Sequence, residues 1–143
     1  DKYSDVDINA KSKVGWTPLM FAYKNNHLPL IKLLETRFKD TIDVTHSDYF
    51  KHNILSIACK LNSHDLVDHI REQHYDVITP HVDASKENMF MKCIKYMDEE
   101  MFSYVFQNFT FDYRQVNMHS RNVVDIAKKY DKDFAANTMS AYL

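Results

Sequence analysis

Two groups of side chains are the first candidates for chemistry. Eight histidines and two cysteines, Cys59 and Cys93, could ligate a metal or serve as acid, base or nucleophile. His64, His69 and His74 fall five residues apart. Five residues of helix turn about 140°, so the spacing predicts that the three do not share one face. No C-x-x-C, H-E-x-x-H or Cys/His run with zinc spacing occurs. A single glycine leaves no glycine-rich phosphate loop, and neither a nucleophile elbow nor a kinase signature is present. The residues therefore predict no catalytic residue, no metal site and no cofactor, and the chain is not read as an enzyme.

The second group is a row of lysines. Lys24, Lys60, Lys95 and Lys129 recur at intervals of 36, 35 and 34 residues. One reading is a basic strip that meets an acidic segment of a partner. The other is that each lysine closes a helix, where the macrodipole favours a cation.

Composition bounds what these groups can do. The chain has 143 residues, 45% of them hydrophobic and 27% charged, which is one domain's worth of globular sequence. A net charge of −2 argues against a dedicated nucleic-acid binder. No apolar run approaches membrane-span length. Two cysteines and no secretory signal fit a reducing compartment, hence an intracellular, cytoplasmic or nuclear protein. The chain opens on DKYSDVD, which reads as a cut inside a longer protein, with the residues before Asp7 as the end of a preceding unit.

The lysine period is that of the whole chain. Leu19 and Ala22, Leu55 and Ala58, Phe90 and Cys93, and Val124 and Ala127 each pair a large apolar residue with a small one three positions later. Each pair shares one helical face, and the small member admits a neighbouring helix. Nine residues after each small anchor stands Ile31, Val67, Phe102 or Ala136, marking a second helix. The turns between hold Asn26, Asn62, Met97 and Asp131. Asn and Asp are the best substitutes for glycine in a left-handed helix terminus, and Met97 is the exception.

TPLMFAYKNNHLPLIKLL, Thr17 to Leu34, preceded by DINA at Asp7 to Ala10, resembles the ankyrin repeat. Thr17 caps the first helix and Pro18 occupies its first position. Asn53, Asn88 and Asn122 take the cap position of the later, degenerate units. The resemblance covers about 135 residues and implies an all-α solenoid of about four helix-turn-helix units with hairpin-like connections, over roughly 7–41, 42–77, 78–111 and 112–143. A tetratricopeptide array, of similar period, is the alternative, but the T-P-L motif and the extended lead-in belong to the ankyrin pattern. The extra residues per period, as in ETRFKDTIDV, are expected to be surface loops.

Repeat solenoids bind on their concave face. The resemblance places Lys13, Val14 and Trp16, then Tyr49, Phe50 and His52, then Ala84, Ser85 and Glu87, then Met118, His119 and Arg121 at successive hairpin tips. Trp16, Tyr49 and Phe50 are expected side by side as an exposed aromatic patch with His52, His119 and Arg121 nearby. The competing reading folds Tyr49 and Phe50 inward over a lengthened loop. Together with the lysine row these residues predict a non-catalytic protein-interaction module that takes a protein or peptide, with an acidic segment a candidate ligand. The alternative is a regulatory or localising domain of a larger enzyme, channel or effector, in contact with its own neighbouring domains. Cys59 and Cys93 are expected as packed, inert thiols. FQNFTFDY is expected as an apolar connection, and DEE at Asp98 to Glu100 as a helix start. The third unit, with Met97 in its turn and bulky Phe90, Met91 and Met101, is expected to be the weakest, with a shifted second helix.

Overall fold

The computed structural model describes residues 7–143. The expected preceding unit lies outside the described residues. Within them the chain forms α1 (Pro18–Lys24), α2 (Leu28–Arg37), α3 (Ile54–Lys60), α4 (His64–Ile78), α5 (Met89–Cys93), a 3-10 turn (Ile94–Tyr96), α6 (Glu99–Asn108), α7 (Val123–Lys129) and α8 (Asp133–Tyr142). The described residues contain no strand, only an isolated bridge between Val82 and Asn88. First helices stack from α1 through α3 to α5, with α7 packed on the 3-10 turn that follows α5, and second helices run alongside. This is the all-α, four-pair solenoid the repeat implied.

The first helices begin where the cap residues predict. Thr17 Oγ1 accepts from the Met20 amide, Asn53 Oδ1 from Ser56, Asn88 Oδ1 from Met91, and Asn122 Oδ1 from Val124 and Asp125. Asn53 and Asn122 form full capping boxes. The turns behave equally simply. Asn26, Asn62 and Asp131 are left-handed, at φ 52°, 55° and 57°. Met97 is extended instead, at φ −93° and ψ 130°, after the 3-10 turn. A side chain without a local hydrogen-bonding group avoids the left-handed region. The second helix of that unit starts from its cap at Asp98, where it is expected, but it is not shifted. Asp98 caps α6 through the Met101 amide, in register with His27, Ser63 and Lys132.

Each unit opens with a hairpin turn closed by one polar side chain. Asp48 Oδ1 accepts from the Phe50 and His52 amides, Asp83 Oδ1 from Ser85 and Glu87, and Asn117 Oδ1 from His119 and Arg121. In unit one Ser12 Oγ accepts from the Trp16 amide. The turns require positive φ at Gly15 (89°), Lys51 (69°), Lys86 (62°) and Ser120 (60°). Glycine is needed only at the first, where a Cβ would meet Asp48 Cα at 3.2 Å. Neighbouring hairpins also share backbone bonds, from the Tyr49 amide to Val14 and from the Met118 amide to Ser85.

Two expectations about packing change. The extra residues of unit two are not a loop: they extend α4 to 15 residues, against 10 for α2. The third unit is not the least buried either. Met89 to Ile94, Met97, Met101 and Phe102 are all buried, and Phe90 lies against Phe102, Phe111 and Tyr113 at 5.0–5.8 Å. Phe109, Phe111 and Tyr113 are buried, so FQNFTFDY is indeed an apolar connection over the core. In the fourth unit the anchor is displaced by one residue, since Val123 is fully buried and Val124 only partly. Cys59 and Cys93 are buried free thiols, and burial followed by the contact with Cys59 pushes the Cys93 thiol well above its ordinary range. That direction keeps the Cys93 thiol protonated and unreactive.

Candidate functional site: the concave face and the second-helix junction

The hairpin residues and the inner ends of the first helices meet on one face. A polar relay runs along it from unit to unit. Trp16 Nε1 donates to Asp48 Oδ2 at 2.8 Å, and His52 Nδ1 lies 2.7 Å from the same oxygen. A carboxylate only accepts, so His52 carries a hydrogen on Nδ1, and its Nε2 lies 2.8 Å from the Tyr96 hydroxyl. Burial, then the charge of Asp48, raises the Tyr96 phenol above its ordinary value. Further along, Glu87 takes Lys51 Nζ at 2.8 Å on Oε1 and Asn117 Nδ2 at 2.9 Å on Oε2.

The lysine row has rings beneath it. Lys24 Nζ sits 5.5 Å over Trp16, Lys60 5.8 Å over Tyr96, Lys95 5.4 Å over both Tyr96 and Tyr130, and Lys129 5.4 Å over Tyr130. All four lysines end a helix or 3-10 turn, so the macrodipole reading holds as well. What the helix end does not explain is the alternation of ammonium groups with aromatic faces, which orders the side chains into a ladder.

The structure places the expected residues unequally. Tyr49 and Phe50 are exposed, at 73% and 66%, and do not fold inward. Lys13, His119 and Arg121 are exposed at their hairpins. Trp16 departs from the expectation of an exposed tip. It is half-buried, its N–H is committed to Asp48, and its ring lies 5.1 Å from Phe21. An indole is large enough to bridge two hairpins, so it lies down rather than standing out. His52 is likewise half-buried between Asp48 and Tyr96. Phe50, Lys95, His119 and Arg121 do converge, around an open groove that Tyr96, Lys129 and Tyr130 complete. Five cationic side chains (Lys51, Lys92, Lys95, Arg121 and Lys129) line it, against one carboxylate, Glu87. Sequence reasoning missed Tyr96 and Tyr130, although each directly follows a ladder lysine.

A second cluster lies on the far side of the stack, between α2 and α4. His69 Nε2 and His74 Nε2 lie 2.7 and 2.8 Å from Glu35 Oε1, and the Tyr23 hydroxyl donates to Oε2 at 2.9 Å. The three histidines share no face, as the five-residue spacing predicts, and His64 lies against Tyr104, but two of them still meet at one acceptor. Glu35 projects from the neighbouring helix between the two histidines, so side chains about 140° apart close on it from either flank. His74 stands on the part of α4 that the extra residues created. Burial tends to raise the Glu35 pKa, but the imidazoles of His69 and His74 and the Tyr23 hydroxyl outweigh it and hold the carboxyl at about 2. Tyr23 is pushed well above its ordinary range by burial and by that carboxylate. The three ligand atoms of Glu35, His69 and His74 lie within 4.8 Å of one another. No described helix is long and apolar enough to cross a membrane.

A search of the curated proteins found no match to the chain. A family model described as ankyrin repeats (3 copies) matches residues 2–81, more than half of the sequence. Members of this family are generally protein–protein interaction modules. With four capped helix pairs in one register and that match over its first half, the chain belongs to the ankyrin-repeat family.

Proposed function

We propose that the groove around Lys95 is the binding surface of a non-catalytic interaction module, and that it takes an acidic segment of a partner protein. Lys95, Arg121 and Lys129, the groove cations left over once Lys51 pairs with Glu87 and the buried Lys92 with Asp83, carry this reading on a chain of net charge −2. Charge of one sign in a concavity draws the opposite sign and speeds its association. The rings of Tyr96 and Tyr130 hold Lys95 and Lys129 in place before a ligand arrives, which lowers the entropy lost on binding. Exposed Phe50 supplies an apolar anchor at the rim.

Selection from a random displayed-peptide library tests the reading. Recovered peptides should be enriched in Asp and Glu, and should bind more weakly as salt rises. Lys95→Glu with Lys129→Glu should abolish their binding without loss of helical content. Peptides with no acidic bias, or peptides indifferent to this double reversal, would refute it.

A further inference from the structure

We infer that Glu35, His69 and His74 form a binding site for a divalent, zinc-class ion that bridges the first two units. The donor set is two imidazole nitrogens and one carboxylate oxygen, the three-ligand combination that zinc accepts while leaving a fourth position open. All three groups are largely buried, with side-chain exposures of 8%, 7% and 14%. Burial removes most competing water from the ligands.

The arrangement supplies more donor atoms than a structural hydrogen bond needs. At the equivalent place in the next junction Tyr104 donates to Asp68. Here two imidazoles address one oxygen. His69 Nε2 makes a hydrogen bond with it, but His74 Nε2 is buried without one, despite its 2.8 Å separation from Oε1. That nitrogen lies 2.8 Å from the carboxylate but off its hydrogen-bonding line, which leaves it available to an ion. Metal–ligand distances near 2.0–2.1 Å put tetrahedral ligand atoms about 3.3 Å apart. The present 2.7 and 2.8 Å separations open to that by about 0.5 Å, within reach of side-chain torsions alone. On binding, the proton that His69 Nε2 shares with Glu35 is released to solvent or moves to Nδ1, and each imidazole then presents its Nε2 lone pair with one proton on Nδ1.

The supporting groups suit an ion. Tyr23 donates to the carboxylate oxygen that faces away from His69, which fixes the carboxylate plane. The cluster opens into a hollow whose walls include Ile42, Val44, Gln73 and Val77, so an ion and its fourth ligand can enter from solvent. Lys32 and Lys39 also line that hollow, and their charge favours an anionic fourth ligand. Since the ligands come from α2 and α4, the ion binds the folded stack and not the separated helices, and it stabilises the junction of units one and two by mass action.

The test uses the full 143-residue chain without a histidine tag, stripped with chelator and returned to chelator-free buffer. One equivalent of Zn2+ should bind, and at a hundredfold excess over Kd the thermal midpoint should rise by about 5–10 °C. Co2+ should give the intense visible bands of four-coordinate cobalt. His74→Gln removes one partner of Glu35 and should lower the metal-free midpoint somewhat, so Zn2+ is scored against each protein's own metal-free midpoint; the variant should bind Zn2+ at least tenfold more weakly and lose the cobalt bands. Glu35→Gln should do the same to binding. If Glu35→Gln does not fold, His74→Gln alone decides. A midpoint indifferent to Zn2+, a rise of equal size in wild type and His74→Gln, or cobalt that stays six-coordinate would overturn the assignment.

Discussion

Units one and three divide the virtues of a repeat between them. Unit one carries the family motif nearly whole, with Thr17 at the cap, Pro18 in the first turn and Asn26 left-handed. Yet its second helix is poorly covered. Ile31 is the one buried residue of α2, and Phe21, Leu30 and Leu33 are exposed. Unit three has almost no motif, and its turn abandons the left-handed geometry. It buries every residue from Met89 to Ile94 and gathers three aromatic rings around Phe90. The motif thus specifies where the backbone starts and stops, whereas burial decides how firmly a unit is held. Resemblance to a consensus measures the first and is silent on the second.

The largest test of this comparison replaces equivalent apolar side chains. Phe90→Ala should cost about 3–5 kcal/mol, because a fully buried ring leaves a cavity. Phe21→Ala in unit one, where the ring is 45% exposed, should cost about 1 kcal/mol or less. Urea denaturation of both variants measures the difference, and equal losses would remove the contrast.

The next pair lies at the hairpins. Asp83 caps its hairpin and also holds the buried Lys92 ammonium at 3.0 Å. Asp83→Ala should cost about 3 kcal/mol, since it strands a buried cation. Ser12→Ala, at the same register position, loses one capping bond and should cost about 1 kcal/mol. The pair also has a signature in acid. Burial tends to raise the Asp83 pKa, but the Glu87 amide and Lys92 outweigh it, and the folded value lies below the ordinary one. Its contribution is therefore present above the unfolded value, about 3.9, and lost as pH falls through the lower folded value. Asp83→Ala should flatten that acid limb and Ser12→Ala should leave it intact, as thermal midpoints measured from pH 5 to pH 2 would show.

Much of this was legible from residue types, and the remainder has a common cause. Cap residues and turn residues act on their own backbone, so Thr17, Asn53, Asn88, Asn122, Asn26, Asn62 and Asp131 could be read along the chain. The extended Met97 followed from the same local rule. The hairpin turns were harder, because Lys51, Lys86 and Ser120 take positive φ with no sequence sign of their own. Their support comes from Asp48, Asp83 and Asn117 three residues earlier. The half-burial of Trp16 and the convergence of His69 and His74 depend on side chains from another unit. Spacing within one helix cannot register an acceptor that arrives from the next.

Hydrogen exchange compares the same units amide by amide. Met101 and Phe102 on α6 are buried and Val105 is fully buried, while α2 offers solvent every face but that of Ile31. Amides from Met101 to Val105 should exchange more slowly than those from Leu28 to Leu34. Faster exchange in α6 would mean that the lost turn at Met97 outweighs its aromatic core.

The smallest effect concerns the caps, where the two units should be interchangeable. Thr17 and Asn88 each accept from the amide three residues on, at 3.3 and 3.0 Å. Asn and Thr are near equals in that role, so Thr17→Asn should change stability by less than about 0.5 kcal/mol. Asn88 differs in one respect, since its Nδ2 also donates to the Asp112 carbonyl at 2.9 Å. Asn88→Thr keeps the cap but leaves that carbonyl unpaired, and should cost about 1 kcal/mol. A clear loss from Thr17→Asn, seen by urea denaturation, would mean that the consensus threonine contributes more than a cap. A neutral Asn88→Thr would mean that the Asp112 bond holds nothing. The asymmetry expected between the two swaps follows from the comparison itself. In unit one the cap residue only starts a helix, whereas in unit three the same position has also been recruited to hold the next connection in place.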